Sequence, residues 1–476
     1  MAELERKDIQ GIVVSAYKHL HCAAFLLLRV RNAPPARTWL ARTVTEVMAS
    51  EAKNAALSIN IAFTYSGLKN LGLGQNALDA FSLPFQEGMA APYRARLLGD
   101  NEENAPAGWD WGAPNNPVDV LLMIYGKDEA TLNAALQREQ NALPAGGVEL
   151  VKILSAQRQP NTHEHFGFAD GIGQPVMEGT GNKQRQLERT HHATELPVGE
   201  FLLGHPNVYN VIAPSPAVKP ADDPQNLLPV IPADAAGLNA EAGMHDLGRN
   251  GSYLVFRQLA QRVAQFWQFL DKSTCAANGA SNPEARDRLG AKFVGRYKSG
   301  APLVLSPEHD NPALQNENNF TYYPTDPHGL ACPIGSHVRR CNPRDSLGPD
   351  PATALNSANR HRLLRRGRPY GHPLENPLVD DGAERGLHFI CLNSDIERQF
   401  EFVQQTWVSN PVFAGLDGEV DPLVGDLLRG NSMFTVQAEP LRRRLQGLSR
   451  FVVTKGGAYF FLPGVQALKY LASLRS

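Results

Sequence analysis

The sequence predicts an α+β protein built from two βαββαβ units packed sheet to sheet, with large loop insertions between their elements. Three observations predict it. Over roughly the first 150 residues the hydrophobic periodicity switches in the order β-α-β-β-α-β, the split βαβ or ferredoxin-like arrangement. The C-terminal part repeats that order around a long interruption. A chain of 476 residues exceeds what one hydrophobic core usually organises, and its 41 glycines and 35 prolines require long irregular connections.

Residues 23–30 are a nearly unbroken apolar run that fits a buried strand. Pro34 and Pro35 follow, and residues 36–52 then carry Leu40, Val44 and Val47 at helical spacing. Residues 57–65 alternate, with Leu57, Ile59, Ile61 and Phe63 directed inward as in a strand. Residues 72–117 are rich in Gly, Pro, Asn and Trp and read as loop with short helices. Residues 118–125 form a second buried strand, 129–143 a helix ended by Pro144-Ala145-Gly146-Gly147, and 148–155 an alternating strand.

Residues 1–175 therefore read as one domain, ending in the Asp170 turn, and 176–249 as an irregular connection with proline clusters at Pro214, Pro216 and Pro220. Residues 250–476 read as the second domain. A strand at 252–258 leads to a helix at 259–270, with Val263, Phe266, Trp267 and Leu270 on one face. An insertion at 273–385 follows, then a strand at 387–392 and a helix at 395–407. Residues 451–454 and 458–462 flank Lys455-Gly456-Gly457, a hairpin signal, and 465–474 is helical.

Charge and cysteine usage narrow the function. A formal net charge of −2 gives no electrostatic footprint for nucleic acid. The longest apolar runs, such as Phe25-Leu26-Leu27-Leu28, are far too short to span a bilayer, and the charged start from Met1 to Asp8 has no apolar signal core. Cys22, Cys275, Cys332, Cys341 and Cys391 are scattered without a C-x-x-C pair, which argues against a disulfide framework and a zinc site. The expected setting is reducing and cytoplasmic; self-association as a homo-oligomer is left open.

Three segments carry chemistry. In His165-Phe166-Gly167-Phe168-Ala169-Asp170-Gly171-Ile172-Gly173-Gln174-Pro175 the glycines predict a tight turn holding one carboxylate between apolar neighbours. Such surroundings disfavour the anion, so the Asp170 pKa is expected to rise, which suits proton transfer; the same residues also fit a helix cap or a plain turn. Cys332-Pro333-Ile334-Gly335-Ser336-His337-Val338-Arg339-Arg340-Cys341-Asn342-Pro343-Arg344 sets one imidazole beside a basic cluster. Imidazole is a common metal ligand and an axial ligand of haem iron, and guanidinium pairs with carboxylates such as propionates. A structural histidine and a solvated basic face are the alternative readings. Leu363-Leu364-Arg365-Arg366-Gly367-Arg368-Pro369-Tyr370-Gly371, taken alone, is a basic turn at the surface without the interleaved aromatics of a nucleic-acid platform.

Taken together, Gly-Phe-Ala-Asp-Gly at 167–171, Cys-Pro-x-x-x-His at 332–337 and Leu-Leu-Arg-Arg-Gly-x-Pro-Tyr-Gly at 363–371 resemble the dye-decolorising peroxidase family. The resemblance runs from Asp8-Ile9-Gln10-Gly11 to the expected C-terminal hairpin. Secondary matches are Phe63-Thr64-Tyr65-Ser66-Gly67-Leu68 and Gln404-Gln405-Thr406-Trp407, and the length is similar to that of the long subgroup with fungal and some bacterial members. It implies a pair of ferredoxin-like domains of the dimeric α/β barrel superfamily, with haem b in the C-terminal one. His337 matches the proximal iron ligand, Asp170 the distal acid–base residue, Arg365 the distal arginine, and Leu387 and Phe389 apolar residues of the distal side. Asp421 resembles the carboxylate that hydrogen-bonds the ligand histidine, with Asp417 as a rival. Arg344 and His165 are candidates for propionate contacts. Trp407 resembles a surface site for electron transfer to bulky substrates, or is a helix-end packing residue.

The implied activity is reduction of hydrogen peroxide through a high-valent iron-oxo intermediate, with one-electron oxidation of dyes, phenols and other aromatic donors. In that chemistry Asp170 moves the peroxide proton from the inner to the outer oxygen, and Arg365 stabilises charge as the O–O bond breaks. Two readings compete. A chlorite-dismutase-like haem enzyme shares the ferredoxin-like pair, but the Asp170 motif speaks against it. A non-enzymatic haem-binding or haem-handling protein predicts haem binding without rapid peroxide reduction.

Overall fold

The structure, a computed structural model, describes residues 4–52, 55–159, 162–180, 195–233 and 241–474, so parts of the 176–249 connection lie outside the described residues. The first half runs β1 (Cys22–Val30), α1 (Ala33–Val44), β2 (Leu57–Phe63), β3 (Val120–Gly126), α2 (Glu129–Ala142) and β4 (Val148–Gln157). Its strands pair antiparallel in the order β2-β3-β1-β4, as the ferredoxin-like reading requires. Pro34 and Pro35 sit in the first turn of α1, where a missing N–H costs nothing. The helix stops at Val44, short of the expected 52. Val47 instead bridges Ile59 and Ala49 bridges Gln10, so pairing with neighbouring backbone overrides the helical spacing.

The second half contains β5 (Ser252–Gln261), α3 (Val263–Thr274), α4 (Pro283–Val294), α5 (His337–Cys341), β6 (Leu364–Arg365), β7 (Arg368–Tyr370) and β8 (Gly386–Asn393). A π-helical segment (Glu397–Glu401 and Val403–Val408), β9 (Val452–Leu462) and α6 (Val465–Ser473) complete it. β6 and β7 both pair β8, which continues to β5 and β9, repeating the order of the first half. The basic segment at 363–371 is thus an edge of the sheet and not a surface turn.

The two sheets face each other and also join at an edge. Phe461 of β9 pairs with Phe63 of β2, which makes one nine-stranded sheet. On the other side His388 Nε2 lies 3.1 Å from the Ser155 carbonyl oxygen of β4. Alternation then gives each strand two buried faces. Phe25, Leu27, Leu121, Met123, Leu254, Phe256, Ile390 and Phe460 fill the space between the sheets. Leu26, Leu28, Leu122 and Ile124 point the other way, to a core shared with Trp39 and Leu40 of α1 and Leu132 of α2.

The expected C-terminal hairpin is not there. Residues 452–462 form one strand, paired along β5 from Val452↔Gln261 to Leu462↔Ser252, with a bulge at Lys455. The glycines serve close approach instead of a turn. A Cβ on Gly456 would lie 2.5 Å from Trp111 Nε1, whose N–H donates to Gln258 Oε1 at 2.8 Å. Gly456→Leu should therefore cost about 1–3 kcal/mol through overpacking, read as a lower urea midpoint. An unchanged midpoint would contradict this packing.

Candidate active site

The outward face of the second sheet is covered differently from the first. α3 packs on part of it through Val263, Phe266 and Trp267. Elsewhere a cavity of about 300 Å³ remains between the sheet, α5 and the π-helical segment. Strand alternation points Leu259 and Gln261 of β5, Leu387 and Phe389 of β8, and Val452 and Thr454 of β9 into it. Leu387 and Phe389 therefore line the cavity wall.

His337 opens α5 and also lines the cavity. Its Nδ1 lies 2.9 Å from Asp421 Oδ2, and Asp421 Oδ1 accepts the N–H groups of Leu423 and Val424, each at 2.9 Å. Asp421 is fully buried, whereas Asp417 is exposed. Burial works against the Asp421 anion, but the His337 ring and the two N–H groups outweigh it and hold the carboxyl below its usual range. Burial likewise disfavours a charged His337; Cys341, with Sγ 3.7 Å from Nδ1, and Asp421 outweigh that and raise the ring well above the usual histidine value. His337, Cys341 and Asp421 bring one imidazole, one thiol and one carboxylate close enough to share a metal.

The neighbouring arginines are not a solvated face. Buried Arg340 donates to the carbonyl oxygens of Trp407 (2.7 Å), Asn410 (3.0 Å) and Glu419 (2.7 Å), and buried Arg339 to that of Cys332 (2.9 Å). They fasten α5 to the loops around it.

Asp170 sits on the predicted turn, with Gly167 (φ 93°) and Gly171 (φ 80°) in the left-handed region. The expected apolar enclosure of Asp170 is not found. Its side chain is 39% exposed where the turn meets the cavity, and Oδ1 accepts the Gly171 N–H at 2.6 Å. Arg365 Nη1 reaches the same oxygen at 3.5 Å. In the basic segment Leu364 packs between the sheets, Arg365 points into the cavity, and Arg366 and Arg368 hold backbone carbonyls of Ile12, Val13, Tyr17 and Leu20.

Arg344 lines the cavity and stacks 3.8 Å over Phe320. His165 does not belong to this wall. Its Nε2 lies 2.7 Å from the Tyr370 carbonyl oxygen, because alternation along the turn sends Glu164 and Phe166 to the cavity instead. Trp407 is not a surface residue either. It is only 6% exposed and packs edge-on to Phe402 and His361, at 5.3 and 5.2 Å between ring centroids. The helix-end packing reading fits it.

Sequence reasoning missed three groups. Arg296 and Arg362 line the cavity beside Arg344. Burial and the neighbouring Arg344 push Arg296 down to about 10 and Arg362 to about 9. Their hydrogen-bonding partners are neutral: Arg296 donates to Gly300 O and Asn318 Oδ1, and Arg362 to Gly173 O. Glu164 is the third. Burial, aided by Asp170, pushes its carboxyl up to about 7 against the bonds it accepts from Phe168, Gln261 and Phe166. An acid just ahead of a glycine turn was the available signal for it. Arg362 bordered the basic segment, and Arg296 had no local signal.

A fold of joined ferredoxin-like sheets, with an Asp–Arg pair and a carboxylate-backed histidine lining one cavity, defines a class that comparison with known proteins makes specific. The family model described as the DyP dimeric alpha+beta barrel domain matches residues 31–160. A dye-decolorizing peroxidase of Mycena epipterygia is 30% identical over 469 residues, covering 91% of this chain and 79% of that protein. The structure of an ancestral D-type dye-decolorizing peroxidase is similar, with a TM-score of 0.76 and 26% identity, over 98% of this chain and 99% of that one. A dye-decolorizing peroxidase solved in complex with 2,6-dimethoxyphenol also gives 0.76, at 25% identity, over 99% of this chain and 100% of that one. This chain belongs to the dye-decolorizing peroxidases and is an oxidoreductase of that class.

The Glu164 shift sets a pH test. Its folded pKa of about 7 lies above the ordinary 4.5, so the folded chain keeps a proton that the unfolded chain loses between those values. The stabilisation is complete below the lower value and is lost as pH rises through the upper one. Glutamine does not titrate. The melting temperature of Glu164→Gln relative to the parent should therefore climb from pH 5 to pH 8, and a flat difference would contradict the burial of Glu164.

Proposed function

We propose that the cavity binds haem b and that the chain reduces hydrogen peroxide there, taking electrons from aromatic donors. The observation that carries this reading is the convergence on one cavity of a His337–Asp421 pair and an Asp170–Arg365 pair. The donor set fits haem. His337 donates Nδ1–H to ionised Asp421, which leaves the Nε2 lone pair for iron and makes it more basic. Arg296, Arg344 and Arg362 bring positive charge without a carboxylate among their hydrogen-bonding partners here, as two propionates would require. Leu387 and Phe389 offer apolar contact to the ring. No helix among the described residues is long and apolar enough to cross a membrane, and the five free thiols support a reducing compartment. We assign 1–175 and 250–476 as the two halves, with 176–249 as their connection.

When bound, haem supplies the iron that accepts peroxide and carries the two oxidising equivalents peroxide delivers. Asp170 takes the proton of the inner peroxide oxygen and returns it to the outer one, which leaves as water. A carboxylate open to the cavity does this directly or through one water. Arg365 stabilises the negative charge that develops on the departing oxygen. Its backbone N–H donates to Gln174 Oε1 at 3.0 Å, which ties it to the turn that carries Asp170. Arg340 and Asp421 keep His337 from swinging away. The known complex with 2,6-dimethoxyphenol supports phenolic donors for this chain.

Absorption spectra of the haem-loaded protein, followed by stopped-flow mixing with peroxide, test the reading. The parent should bind haem and react rapidly, and His337→Ala should lose most of the haem. Asp170→Asn should keep haem and slow the peroxide reaction by about a hundredfold or more, with a similar direction for Arg365→Leu. Unchanged rates in both variants would remove their roles. Bound haem that is inert to peroxide in the parent would favour haem handling over catalysis.

A further inference from the structure

Glu164 is a half-buried acid that the proton and charge steps above do not use. It lines the cavity six residues before Asp170. Its Oε2 accepts the Phe166 N–H at 2.8 Å and the Gln261 amide at 2.6 Å, and its Oε1 accepts the Phe168 N–H at 2.9 Å. Its backbone closes the same loop, with Gly167 N–H on the Glu164 carbonyl at 2.8 Å and Glu164 N–H on the Phe168 carbonyl at 3.1 Å. From outside the loop, Trp267 Nε1–H donates to the Phe166 carbonyl at 3.1 Å and Ala169 N–H to the Lys298 carbonyl at 3.1 Å.

One side chain thus gathers three donors, two from the turn and one from β5. Ionised, above about pH 7, the carboxylate offers two acceptor oxygens to two separate N–H groups while also taking the strand's amide; glutamine offers one oxygen, and its NH₂ would face a donor. Burial makes the group unfavourable as an anion, yet the turn that carries Asp170 is built around it. We propose that Glu164 is the positioning residue for Asp170: it locks the 164–168 loop to β5 and so fixes where the Asp170 carboxylate meets peroxide. This rests on the proton-transfer role given to Asp170 above.

The test is a double-mutant cycle in the haem-loaded protein, with Glu164→Gln, Asp170→Asn and the pair. Steady-state kcat/KM is read separately for peroxide and for a phenolic donor. Glu164→Gln should bind haem normally and lower kcat/KM for peroxide about tenfold or more, leaving the donor value within twofold. The double variant should react no more slowly than Asp170→Asn alone, because Glu164 acts through Asp170. Amide hydrogen exchange over residues 162–171 should be faster in Glu164→Gln before any peroxide is added.

An unchanged peroxide value, equal losses for peroxide and donor, or additive losses in the cycle would each overturn the proposal while leaving the Asp170 reading intact. No effect of Asp170→Asn alone would instead remove that reading, and this proposal with it. Should Glu164→Gln fail to take up haem, Gln261→Leu carries the test, since it cuts only the tie to β5. A several-fold loss confined to peroxide is expected from it, and an unchanged peroxide value overturns the proposal.

Discussion

The hydrogen bond between His337 and Asp421 is the interaction on which the cavity depends. It joins α5 to a loop 84 residues further along the chain, and Asp421 spends its second oxygen on the backbone of that loop. Arg340 fastens the same helix to the carbonyls of Trp407, Asn410 and Glu419. A five-residue helix has little stability of its own. These buried charged bonds hold the imidazole where a metal can use it.

The remaining charge in the cavity follows a different rule. Buried Arg94 is neutralised by Glu87, Glu397 and Glu401. Arg296, Arg344 and Arg362 instead donate to carbonyl and amide oxygens. Desolvated cations without counter-ions are costly, and an anionic ligand removes that cost. The fold supports such a site because the inward faces of both sheets are already satisfied by each other, leaving the outward face of the second sheet for a ligand.

The strand pattern was legible because short apolar runs and alternating runs are both written in neighbouring residues, and both ferredoxin-like units could be read from them. Lys455-Gly456-Gly457 misled because glycine marks both a turn and a close approach, and only the position of Trp111 separates the two. The helical spacing through Val47 likewise yielded to pairing with Ile59, a partner distant in sequence. In the basic segment the letters gave three cations. Strand alternation sent Arg365 to the cavity, and Arg366 and Arg368 to backbone carbonyls.

By itself the sequence determined the two-unit α+β architecture, the turn that carries Asp170, and the pairing of His337, Asp170 and Arg365 as the residues to watch. Those features depend on local spacing and on motifs of a few residues. Only the tertiary structure decided that Asp421 and not Asp417 backs His337, that Trp407 is buried, that His165 turns away, and that Glu164, Arg296 and Arg362 belong to the cavity. Each depends on which face of an element meets which distant segment, and on how far burial there separates a charge from water.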